Sequence, residues 1–141
     1  MKIPFTEPTE YFEHGADIGI IGRGPTIEAA FEAAARATFA IMTEIGHVRE
    51  LDAITVEFEE ADEELALVQW LNLLLGSSRG RRLVFARFWI ERDGVRWRGG
   101  AVGEPWRPEL ERGVEVKGAT LTMLSVTHVG EVWEARCVVD V

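Results

Sequence analysis

The chain has 141 residues, 47% of them hydrophobic, and carries 15 Lys and Arg against 24 Asp and Glu, a net charge of −9. This fits one domain with a core of its own and excludes a disordered chain. A single cysteine, Cys137, excludes an internal disulfide and any zinc site built on two or more cysteines, which suits a reducing cytoplasm.

Residues 1–10 show no apolar core of signal-peptide length, and no window approaches the ~18 apolar residues of a membrane span. The acidic balance argues against stand-alone nucleic-acid binding, although an acidic protein can serve an RNA pathway by docking on a basic partner. Tyr11-Phe12-Glu13-His14 is a short aromatic entry segment, followed by the β-branched run Ile18-Gly19-Ile20-Ile21-Gly22. Thr26 can cap a helix over 26–44, in which Ile27, Ala30, Phe31, Ala34, Thr38, Ile41 and Met42 recur at helical steps and predict one apolar face. Ile54, Val56 and Phe58 alternate with polar residues and predict a half-buried strand over 51–59. Asp62 can cap a second helix, apolar on most sides from Leu65 to Leu75, which Gly76-Ser77-Ser78-Arg79-Gly80 is expected to end. Asp93-Gly94 predicts a hairpin between strands 83–91 and 95–102. A polar loop over 105–113 and strands over 114–117, 121–129 and 132–141 follow. The order points to an α+β fold, two helices packed on largely antiparallel sheet in a single compact domain over 1–141.

Few residues stand out chemically. His14 and Asp17 are three apart, and such a pair can bind a metal or exchange protons, or serve as ordinary hydrogen-bonding groups. Asp140 follows the apolar Val138-Val139 and precedes Val141, so two anions can meet at a strand end and suit a hard cation; the alternative is a frayed end with its charges in water. Lys117 faces solvent by default or reaches a phosphate or carboxylate. Glu63 and Glu64 suit a helix N-terminus, and Glu64 can also support an acidic site. Arg79, Arg81 and Arg82 form the only tight basic cluster, and Trp106, in a polar loop, either marks a contact surface or folds over the sheet. Cys137 reads as a small buried apolar residue. No P-loop, dinucleotide fingerprint or nucleophile elbow is present.

Taken in order, these segments resemble the archease family. Tyr11-Phe12-Glu13-His14-Gly15-Ala16-Asp17-Ile18 is similar to its aromatic-x-Glu-His-Thr-Ala-Asp-Ile signature, with Gly15 in place of Thr. Residues 24–42 resemble its first helix; Asp62, Glu64, Leu67, Trp70-Leu71-Asn72 and Leu74-Leu75 resemble its second. Val116-Lys117-Gly118-Ala119-Thr120 and the closing 133–141 complete the likeness. Where the family continues Tyr-His after that Thr, this chain has Leu121-Thr122.

The resemblance implies a non-enzymatic protein cofactor of the GTP-dependent RNA-splicing ligase, promoting its guanylylation and multiple turnover in tRNA splicing or RNA repair, with RNA met only through the ligase. It also implies a divalent-cation site, Ca2+ first with Mg2+ or Mn2+ as alternatives, held by Asp17, Asp140 and Val141 and supported by His14, Glu64 and Lys117. Two other readings compete. One is a chaperone-like module for another RNA-modifying enzyme such as a tRNA methyltransferase, resting on exposed apolar surface. The other is a small metal-dependent hydrolase, for which no nucleophile is visible.

Overall fold

The computed structural model describes the backbone of residues 10–14 and residues 17–141 in full. Among the described residues, eight strands and two α-helices follow one another as β1 (Glu10–His14), β2 (Asp17–Gly24), α1 (Ile27–Met42), β3 (Asp52–Glu59), α2 (Glu63–Arg81), β4 (Leu83–Asp93), β5 (Arg96–Pro105), β6 (Gly118–Ala119), β7 (Ser125–Val129) and β8 (Val132–Asp140). All pairings are antiparallel. They form two sheets: five strands in the order β1-β2-β8-β6 with β7 also on β8, and three in the order β3-β5-β4. The expected α+β class is what the structure has. Among the described residues, no helix is long and apolar enough to cross a membrane.

Helix α1 starts where Thr26 accepts a hydrogen bond from the Ala29 N–H at 3.0 Å. Periodicity predicts one apolar face, but the helix is buried on nearly every side, because it lies between the two sheets. Alanines make this geometrically feasible: they let backbone approach backbone on the five-stranded side. A Cβ on Gly22 would strike the Ala30 carbonyl and the Ala34 backbone, so β2 touches α1 through glycine. Toward the three-stranded sheet the helix presents aromatics instead. Phe31 stacks on Trp97 at 5.0 Å, and Phe39 meets Phe85 and Phe88 at 5.5 and 5.3 Å. At its C-terminus the orphan carbonyls are taken up by a distant loop. The Val114 and Gly113 N–H groups donate to the Ile41 and Met42 carbonyls, and Thr43 Oγ1 donates to the Glu111 carbonyl at 2.7 Å.

Helix α2 begins as expected, with Asp62 accepting from the Glu64 and Leu65 N–H groups. It does not end at Gly76-Ser77-Ser78-Arg79-Gly80 but runs on to Arg81. Tertiary contacts override the weak local propensity there. Leu75 and Ser78 are buried, Ser78 Oγ donates to the Leu83 carbonyl, and Arg82 closes the helix in the left-handed region at φ 56°.

Two strand expectations also fail. Residues 114–117 form no strand, and 121–124 form a turn, with Met123 at φ 52°, so that β6 and β7 are separate short strands on one edge of β8. The outer edge of β6 is paired by a side chain. Asn72 of α2 donates to the Ala119 carbonyl at 3.2 Å and accepts from the Ala119 N–H at 2.8 Å, filling the place of a neighbouring strand. Against this fold, Gly22→Val is expected to cost roughly 3 kcal/mol by forcing α1 off the sheet, read as a lower urea midpoint at unchanged slope.

Candidate functional site

The ladder of the five-stranded sheet brings the predicted residues to one end. His14 pairs with Asp17 across β1 and β2, Ile18 with Val139 across β2 and β8, and Gly118 with Asp140 across β6 and β8. One further step of the β2–β8 register sets Asp17 beside Asp140. The buried residues Ile18, Ile20, Val139, Cys137 and Ala135 share the face that β2 and β8 turn to α1. Asp17 and Asp140 are out of phase with that row, so both carboxylates project from the opposite face. Asp140 is exposed and Asp17 half-buried. Val141 is half-buried, with its side chain against the core, so what it can offer this end is main-chain oxygen.

Lys117 sits at the same end: its N–H donates to the Asp140 carbonyl at 2.8 Å. The side chain of His14, and Gly15 and Ala16 of the signature, lie outside the described residues. Glu64 is not brought to this end. It stands on the first turn of α2, while Asn72, eight residues or about 12 Å further along the axis, is the residue that reaches β6. Among the described residues no three His, Cys, Asp or Glu side chains gather as a metal cluster. Two carboxylates with nearby main-chain oxygens do have the chemistry a hard divalent cation takes, and like charges set directly opposite on adjacent strands repel without one.

Two features escaped the sequence reading. Glu104 is fully buried at the end of β5. Its carboxylate accepts from the Arg49 N–H at 2.7 Å, from Arg49 Nε at 2.9 Å and from Arg107 Nε at 2.9 Å. Burial alone would raise its pKa, but the hydrogen bonds from Arg49 and Arg107 outweigh that and bring it down to about 2. Arg107 continues to the His47 carbonyl, so this cluster pins the loop that leaves β5.

The second feature is a cleft of about 640 Å3, to which α2 contributes Arg79 and Arg81, its cap Arg82, and the loop after β5 contributes Trp106 and Arg112. Only the first three were grouped in sequence. Arg112 is thirty residues away from Arg82, and no local signal joins them. Trp106, half-buried, carries the Arg112 guanidinium 3.9 Å from its ring centroid. Cys137 is buried as expected, and burial pushes its thiol up to about 12.

Fold and site together define a small α+β domain in which two sheets enclose a helix and one sheet ends in paired carboxylates. The Archease protein family (MTH1598/TM1083) matches residues 10–141. Curated relatives called protein archease include that of Sulfolobus acidocaldarius, 34% identical over 94% of this chain and 97% of the relative. That of Pyrococcus furiosus is 36% identical over the same shares. The solution structure of Methanobacterium thermoautotrophicum protein 1598 superposes with a TM-score of 0.83 at 30% identity, over 94% of this chain and 97% of that one. An archease from Thermotoga maritima, described as a possible chaperone, shares the fold with a TM-score of 0.65 at 20% identity, over 96% and 99%. The chain belongs to the archease family.

The buried Glu104 cluster predicts a pH dependence. A carboxyl whose pKa falls from 4.5 to about 2 on folding stabilises the fold above its unfolded value and loses that contribution as pH drops through about 2. Glu104→Gln is expected to cost roughly 2–3 kcal/mol at neutral pH. The gap to the parent, followed by urea midpoints, should close as pH falls from 4.5 toward about 2.

Proposed function

We propose that this protein is a non-enzymatic, cytoplasmic activator of a GTP-dependent RNA-splicing ligase, promoting the ligase's guanylylation and repeated turnover through its carboxylate end. The observation that carries the reading is the meeting of Asp17 and Asp140, more than 120 residues apart in sequence, on neighbouring strands of a chain that belongs to the archease family. A divalent cation, Ca2+ or else Mg2+ or Mn2+, would be held by Asp17, Asp140 and the main chain of Val141, and would supply a fixed positive centre among carboxylates. His14 and Lys117 are the supporting residues of this end. Lys117 fixes Asp140 through its main chain, and its own side chain is exposed. The acidic surface complements the basic face that an RNA-joining enzyme offers its substrate.

A second reading is favoured by a different observation. Leu65, Leu73, Leu121 and Met123 are large apolar residues with 38–65% of their surface exposed. A chaperone-like module for another RNA-modifying enzyme, such as a tRNA methyltransferase, would use such residues, and one relative is described as a possible chaperone.

The test is ligation turnover with limiting ligase from the same source, GTP, divalent metal and RNA bearing a 2′,3′-cyclic phosphate. The parent protein should convert single into multiple turnovers. Asp17→Ala and Asp140→Ala should each lose at least about tenfold of that stimulation, while Glu64→Ala, away from the carboxylate end, should retain it. Stimulation that survives both aspartate variants sinks the carboxylate account. No stimulation at all, together with suppression of partner aggregation, moves the chaperone reading ahead.

A further inference from the structure

We infer that the arginine cleft is a binding site for a phosphorylated nucleotide, either free or as one or two nucleotides at the end of an RNA strand. Its volume, about 640 Å3, lies within the range of small-ligand sites. Four arginines line it, Arg79, Arg81, Arg82 and Arg112, against one acidic residue, Glu115. In a chain of net charge −9 this is a local reversal of sign. Among the described residues none of the four forms an ion pair with a carboxylate. The contrast is a second cleft of about 540 Å3 on the three-stranded sheet, whose arginines are paired: Arg96 with Glu59, Arg98 with Glu57 and Arg92 with Glu63.

Complementing the negative end of α2 would account for Arg79 and Arg81 alone. It does not account for Arg112, which comes from another element and is held on both sides. The carbonyl of Glu111 accepts from Thr43 Oγ1 at 2.7 Å, and the N–H of Gly113 donates to the Met42 carbonyl at 2.8 Å. Arg79 is likewise fixed, donating to the Lys117 carbonyl at 3.1 Å. Arg82 is held with a non-glycine backbone in the left-handed region, and its carbonyl accepts from the Trp106 N–H at 3.2 Å. The arginines therefore enter the cleft from a prearranged backbone, which lowers the ordering cost of binding.

The chemistry favours phosphate over a peptide carboxylate by combining two features. Planar guanidinium forks match phosphate oxygens two at a time. Trp106 adds an aromatic ring on which a base can stack, with Arg112 already against it. The acidic remainder of the surface repels a long duplex, so the cleft takes a short end rather than a track of backbone.

This site stands apart from the ligase reading, and its test uses neither ligase nor divalent cation. A fluorescein-labelled single-stranded RNA octamer with a 5′-phosphate is titrated with the full chain at low salt in EDTA, and anisotropy is followed. GTP, inorganic triphosphate and polyglutamate serve as competitors. The octamer is expected to bind, weakening as salt rises, and Arg81→Ala/Arg112→Ala should lower affinity about tenfold or more with the melting temperature unchanged. Arg87→Ala, exposed and paired with Glu50, should bind as the parent does. Trp106→Ala should remove the advantage of GTP over triphosphate. Competition by GTP at similar concentration assigns a mononucleotide site, and competition by strand alone assigns an RNA end. Absence of binding by both octamer and GTP overturns the proposal, as does equal weakening by Arg87→Ala. Polyglutamate competing as well as RNA also overturns it, in favour of an acidic peptide.

Discussion

A helix buried on nearly every side sets the terms for everything else in this fold. Because α1 lies between two sheets, each sheet has to meet it at close range and by a different device. On one side the device is small residues, with Gly22 against Ala30 and Ala34. On the other it is tiers of aromatics, Phe31 on Trp97 and Phe39 on Phe85 and Phe88. Neither side tolerates much volume change, since packed interiors respond to a single methylene. The same burial means that the helix C-terminus cannot rely on water for its last carbonyls. The loop through residues 111–114 supplies the missing donors, and in doing so becomes an ordered strap rather than a free connection. Arg112 is carried on that strap, so a packing requirement of α1 is what holds one wall of the arginine cleft.

The other helix organises the opposite wall and the sheet end. Asn72 takes both main-chain groups of Ala119, and Arg79 takes the carbonyl of Lys117. Those contacts keep β6 against β8 although it is only two residues long. Since β6 begins beside Asp140, the position of that carboxylate depends on a helix that does not itself reach it with an acid.

Much of this was legible in the sequence. Thr26 and Asp62 cap the two helices as their side chains predict, and the alternation of Ile54, Val56 and Phe58 gives β3 its buried face. Asp93-Gly94 turns the hairpin, with Gly94 at φ 63°. What was not legible depends on contacts distant in sequence. The run Gly76-Ser77-Ser78 reads as a helix end, yet Ser78 is buried and bonded to Leu83, and the helix continues. Residues 114–117 look like a strand, but the N–H groups of Gly113 and Val114 are committed to α1 and only Gly118–Ala119 pairs with β8. For the site, two aspartates far apart in sequence could be brought together by family resemblance, and the ladder register then aligns them. Arg112 and the Glu104 cluster had no such aid, because neither spacing nor composition says which arginines a buried carboxylate takes.

That last allocation explains how an acidic chain can keep a basic cleft. Glu104 holds Arg49 and Arg107, Glu134 holds Arg23, Glu50 holds Arg87, and the strand carboxylates Glu57 and Glu59 hold Arg98 and Arg96. With these arginines committed, the four arginines of the cleft beside Trp106 form no ion pair among the described residues, and neither do Asp17 and Asp140 at the end of β2 and β8. One residue of main chain joins them. The carbonyl of Lys117 accepts from Arg79 on the cleft side, and its N–H donates to Asp140 on the other. Both main-chain groups of that residue are therefore committed, each to a different pole. Opposite charges so close would ordinarily collapse into surface salt bridges, which contribute little stability. Here the backbone bonds spend the reach of Arg79 on a neutral carbonyl instead, and so the arginine cleft and the carboxylate end of the molecule stay separate and adjacent.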